Sequence, residues 1–78
     1  MTIEIWGKDN CPSCTKAKML AETRGLDFTY KVLGKDFERE QVMEMFPGAR
    51  TFPQILANGS PIGGFEQFVE YIKHYIHT

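Results

Sequence analysis

Cysteine is scarce in this chain: there are two in 78 residues, Cys11 and Cys14. A small secreted domain held by disulfides usually carries four or more, spread over longer loops. Long apolar runs are missing too. The longest, Met19-Leu20-Ala21 and Ile55-Leu56-Ala57, hold three residues each. A membrane-spanning helix needs about 20 and a signal-peptide core about 7–15. Neither charge sign dominates: nine Lys+Arg against ten Asp+Glu give a formal net charge of −1, with no basic stripe to grip nucleic acid. These absences predict a soluble, untargeted chain in a reducing cytoplasm, with neither nucleic acid nor membrane as partner; a monomer is the expected state, although nothing in the sequence encodes it.

Size excludes a second domain. A chain of this mass buries only about 63% of its unfolded surface, enough for one small core. Apolar residues make up 42% and charged residues 24%, a globular rather than a disordered composition. Residues 1–78 are therefore expected to form a single domain.

Hydrophobic spacing gives the order of elements. Thr2 to Trp6 alternates, with Ile3 and Ile5 on one face, and reads as a strand. Pro12 suits the first position of a helix, because its missing N–H has no partner there anyway. Cys14, Ala17 and Ala21 form one stripe of that helix, and Gly25 stops it. Phe28 to Leu33 reads as a second strand, and a strand–helix–strand unit of this length implies a right-handed parallel crossover. Gly34-Lys35-Asp36 is expected to open a second helix with Val42, Met45 and Phe46 facing inward, ended by Pro47-Gly48. Pro53 to Ala57 reads as a third strand, and Asn58-Gly59 signals a hairpin into a fourth. Pro61 cannot donate to a ladder, which places that strand at an edge. Phe65, Phe68, Val69, Ile72, Tyr75 and Ile76 form the apolar stripe of a last helix. The expected class is α/β, with a four-stranded mixed sheet flanked by three helices.

The two cysteines stand at a helix start, three residues apart and on one face, within the separation a disulfide permits. Cys11 at the cap faces solvent, and Cys14 lies in the first turn, nearer the core. Free N–H groups and the positive end of the helix dipole favour thiolate there, and Lys8 adds a nearby positive charge. Cys11 is then the nucleophile and Cys14 the resolving thiol that attacks a mixed disulfide. Competing readings are two inert buried cysteines, a purely structural disulfide, and a zinc site with His74 and His77. A loop this short constrains the unfolded chain little, and the His spacing is shorter than usual for zinc. No metal is expected.

Three stretches taken together, Lys8-Asp9-Asn10-Cys11-Pro12-Ser13-Cys14, Arg50-Thr51-Phe52-Pro53-Gln54 and Ile62-Gly63-Gly64-Phe65-Glu66, resemble the glutaredoxin family over essentially the whole chain. Gly63 to Phe68 with Glu70-Tyr71 is particularly similar to phage-encoded members, which would place the protein in a host cytoplasm. The resemblance implies a thioredoxin fold. It also implies a dithiol oxidoreductase that reduces protein disulfides and glutathione mixed disulfides, with no tightly bound cofactor and glutathione as co-substrate.

Site residues carried over by the resemblance are Cys11, Cys14, Lys8 and Pro53 for catalysis, Pro53 as the family's cis proline. The implied glutathione site comprises Lys8, Arg50, Thr51, Phe52, Pro53, Gly64, Phe65 and Glu66. Phe52 would pair its backbone with the ligand as an added strand does. Lys8, Arg50 and Arg39 would meet carboxylates, free N–H groups at Gly64-Phe65-Glu66 the other carboxylate, and Glu66 the amine. Glu66 is equally an ordinary first-turn acid, and Gly63-Gly64 a plain strand-to-helix turn. Phe65 either roofs the site or starts the core stripe, and its spacing favours the stripe. Ser13 departs from the Tyr common in the family's motif, and Phe52 from the commoner Val. Two other functions stay open: an electron donor to ribonucleotide reductase recharged by thioredoxin reductase, and a carrier of a glutathione-ligated [2Fe–2S] cluster.

Overall fold

A computed structural model describes residues 2–75. The elements, in order, are β1 (Thr2–Gly7), α1 (Pro12–Thr23), β2 (Asp27–Val32), α2 (Arg39–Met45), β3 (Gln54–Ala57), β4 (Ser60–Gly63) and α3 (Phe65–Tyr75). The sheet order is β2-β1-β3-β4. β1 and β2 are parallel, in register Ile3↔Phe28 and Ile5↔Tyr30. β3 is antiparallel to both β1 and β4. This is the mixed sheet the sequence predicts, with β4 and its Pro61 at the edge.

Alternation along the two central strands divides the core. Ile3, Ile5, Ile55 and Ala57 face one side, where they bury against Ala17 and Ala21 of α1 and Phe68 and Ile72 of α3. Trp6 and Leu56 point to the other side and meet Phe37, Val42 and Phe46. A one-residue slip would exchange these two sets, so packing on both faces pins the register. Asn58 and Gly59 both have positive φ, at 52° and 84°, as the two-residue hairpin turn requires. Asn58 also ties the hairpin to β1: its Oδ1 accepts the Thr2 N–H at 2.9 Å. Ile76 and His77 lie outside the described residues.

The second helix starts later than the sequence predicts. Gly34, Lys35 and Asp36 form a turn, in which the N–H groups of Lys35 and Asp36 both donate to the Val32 carbonyl. Asp36 Oδ2 accepts the Val32 N–H at 2.8 Å, a local side-chain bond that competes with helix formation. The extra length delivers Phe37 to the core beside Trp6, ring centroids 4.6 Å apart. The helix begins only at Arg39, where the Glu38 N–H donates to Gln41 Oε1 at 2.8 Å. With that phase, Val42 and Phe46 face inward and Met45 is 40% exposed, so the expected inward position of Met45 is corrected.

Candidate active site

The strand-to-helix junction between β1 and α1 carries both sulfurs. Asn10, at φ 56°, turns the chain, Cys11 is the N-cap of α1, and Pro12 takes the first helical position. The pair is disulfide-bonded, with Cα atoms 5.2 Å apart. Cys14 is fully buried, whereas Cys11 is half-exposed. One geometry therefore yields an accessible and an inaccessible sulfur. Cys11 Sγ accepts the Cys14 backbone N–H at 3.2 Å. That N–H is one of the unpartnered donors of the first helical turn, and it favours negative charge on the sulfur it faces.

A second segment lies against Cys11. The Phe52–Pro53 peptide is cis, and the Phe52 carbonyl oxygen is 3.8 Å from Cys11 Sγ. Gln54, buried at the start of β3, donates from Nε2 to the Thr51 carbonyl at 2.8 Å and braces this loop. Among the described residues the Phe52 N–H has no hydrogen-bond partner, so a backbone donor stands open beside the accessible sulfur. Lys8 Nζ sits 5.9 Å from the Phe52 ring centroid.

Lys8, Cys11, Arg39, Arg50, Thr51 and Phe52 share one open groove between the α1 N-terminus and α2. Gly64 is not among the residues lining that groove but lies against the same loop, where a Cβ on it would lie 3.4 Å from the Pro53 carbonyl oxygen. Its N–H, expected to be open to a ligand, already donates to Gln67 Oε1 at 3.0 Å. That leaves the N–H groups of Phe65 and Glu66 without an intrahelical partner at the start of α3. Phe65 packs against the main core and lines grooves that exclude Cys11, in keeping with the core stripe. Glu66 is exposed on α3, beside Ile62 and Val69. His74 pairs with Glu70 at 3.3 Å when protonated and lines a groove that contains no cysteine.

Tyr30 is a neighbour of the site that sequence reasoning missed. Its hydroxyl occupies the space over Gly7, and a Cβ built there would lie 2.6 Å from Tyr30 Oη and 3.2 Å from Cys14 Cβ. Burial, and secondarily the Asp9 carboxylate, push the Tyr30 pKa above 10.0. Alternation marked Tyr30 only as a strand residue. Its closeness to Cys14 arises from the parallel pairing of β2 with β1.

A glutaredoxin family model matches residues 3–62. The chain belongs to the glutaredoxin family. It is 39% identical over 66 residues to a probable glutaredoxin of Synechocystis, covering 83% of this chain and 61% of that protein. It thus spans less than two thirds of that relative's length. To glutaredoxin 3 of Escherichia coli it is 32% identical over 62 residues, 80% of this chain and 75% of the relative. Its fold matches the solved structure of oxidised E. coli glutaredoxin with a TM-score of 0.83 and 26% identity, over 97% of this chain and 98% of that one. The thioredoxin fold of glutaredoxins is therefore the fold of this chain.

Proposed function

We propose that this glutaredoxin is a glutathione-dependent thiol–disulfide oxidoreductase. The observation that carries the reading is the Cys14 N–H held on Cys11 Sγ at 3.2 Å, at a helix N-terminus beside the open Phe52 backbone. The Cys11 thiolate attacks one sulfur of a substrate disulfide, forming a mixed disulfide and releasing the other sulfur as thiolate. Cys14 then attacks Cys11 Sγ, closes the intramolecular disulfide and releases the second substrate thiol. Two glutathione molecules return the electrons. The first opens the disulfide as a mixed disulfide on Cys11, and the second displaces it as oxidised glutathione.

In this reading, Lys8 and Arg50 receive a glutathione carboxylate, and Phe52 pairs its backbone with the ligand. The start of α3 at Phe65 and Glu66 takes the second carboxylate, with Gly64 permitting close approach. The substrates are glutathione mixed disulfides and protein disulfides, that of ribonucleotide reductase being one to assay, and the protein acts as a cytoplasmic monomer. The deciding experiment is turnover of a small glutathione mixed disulfide with glutathione as the only reductant. Steady turnover, abolished in Cys11→Ser, is expected. Failure with glutathione, together with rapid reduction of the protein by thioredoxin reductase, would overturn the glutathione dependence.

A further inference from the structure

The groove beside Cys11 holds more positive charge and more apolar surface than one small thiol needs. Lys8, Arg39 and Arg50 all line it, and no Asp or Glu does. Among the described residues neither arginine forms an ion pair. The α2 carboxylates Glu40 and Glu44 lie outside the lining, because Arg39, Val42 and Met43 recur at helical spacing along the opposite face. Val42, Met43 and Phe52 supply apolar walls. Met43 is 65% exposed and adds an open aliphatic surface to the same lining. Glutathione brings two carboxylates, and the start of α3 already offers donors to one of them. The remaining carboxylate cannot neutralise three cations, and the tripeptide has no aliphatic side chain for Met43.

We infer that this groove selects protein disulfides whose cysteine is flanked by acidic residues and an aliphatic side chain. The acidic groups meet Lys8, Arg39 and Arg50 while the aliphatic group covers Met43 and Val42, and the sulfur is delivered to Cys11 beside the Phe52 backbone. Charge of one sign around a cleft raises encounter rates by about 10- to 1,000-fold at low salt. This inference rests on the oxidoreductase reading and narrows its substrate class.

The test uses the intact protein and three disulfides under glutathione. One is the neutral, small disulfide of 2-mercaptoethanol. The others are peptides alike but for two glutamates or two lysines next to a leucine–cysteine pair. Turnover of the small disulfide establishes the oxidoreductase reading independently, and its absence would remove that reading. Given that turnover, kcat/KM for the acidic peptide should exceed that for the basic one by about 10-fold or more at low salt. The ratio should shrink towards one at 1 M salt, where screening reaches about 3 Å. Arg39→Glu, which leaves Lys8 and Arg50 against one carboxylate, should reduce the preference several-fold, and a carboxylate at the first helical position suits the helix dipole and keeps the fold. Equal rates for the two peptides at low salt would overturn the inference. So would inhibition of the acidic-peptide reaction by a short single-stranded oligonucleotide but not by a polyglutamate peptide, which would assign the cations to nucleic acid.

Discussion

The backbone N–H of Cys14 points at the sulfur of Cys11 from 3.2 Å. One residue thereby supplies both the second sulfur and a donor to the first. Pro12 between them adds no competing N–H, and the side chain of Cys11 takes the capping role usually filled by Ser, Thr, Asp or Asn. In the proposed mechanism the half-exposed sulfur is the one that bears charge, and the buried one resolves the mixed disulfide.

Alkylation should read this asymmetry directly. In the reduced protein Cys11 is expected to react with iodoacetamide at neutral pH much faster than an unperturbed thiol of pKa about 8.5, while Cys14 stays protected. Lys8→Ala should slow the reaction and weaken glutathione binding. Equal labelling of both cysteines, measured by mass spectrometry of the digested protein, would contradict the assignment of roles.

The two serine variants should separate the two half-reactions. Cys11→Ser is expected to lose all thiol transfer. Cys14→Ser should keep deglutathionylation but lose reduction of protein disulfides that need intramolecular resolution. Parallel assays on a glutathionylated protein and on an intramolecular protein disulfide make the comparison.

Gly7→Ala tests the packing under the site. The new methyl would lie 2.6 Å from Tyr30 Oη and 3.0 Å from its Cζ, an overpacking that costs about 1–3 kcal/mol. Urea unfolding of the four members of the Gly7→Ala and Tyr30→Phe cycle measures it. Removing the hydroxyl should relieve part of the cost, giving a coupling of about 0.5 kcal/mol or more. Strict additivity would show that the hydroxyl is not the obstacle.

Alkaline pH should weaken the fold through the same residue. Tyr30 holds its proton more tightly when folded, through burial first and Asp9 second. Between the unfolded value of about 10 and the raised folded value, the unfolded state has fewer protons bound, so stability falls as pH rises. Below pH about 10 the contribution is complete. Tyr30→Phe should flatten the decline, and ultraviolet difference titration of wild type against that variant isolates Tyr30 from the other two tyrosines.

Phe68→Ala should be among the most damaging core changes. Phe68 is fully buried between α3 and the sheet, and such truncations cost about 3–5 kcal/mol. A domain of this size has roughly 4–12 kcal/mol in all. The midpoint of urea unfolding should drop by about a quarter or more, whereas exposed Met19→Ala should leave it almost unchanged.

Sequence patterns set what depends on neighbours along the chain. Period-two alternation at Ile3 and Ile5, proline at the first turn of α1, the Asn58-Gly59 turn and the Phe65, Phe68 and Ile72 part of the α3 stripe each follow from local geometry, and each appears where expected. So does the placing of one cysteine at a cap and the other one turn deeper. The start of α2 escaped that logic. Gly34 to Asp36 carry good helix-opening residues, yet Phe37 gains more by entering the Trp6 cluster, and that gain exists only once β1 is beside it. What folding alone decided were the neighbours distant in sequence: Phe52 against Cys11, Tyr30 over Gly7, and Arg39 with Arg50 in the lining of one groove. Those pairs are separated by 41, 23 and 11 positions. Strand register and helix docking bring them together, and both are fixed by burial summed over the whole core rather than by any short stretch of sequence.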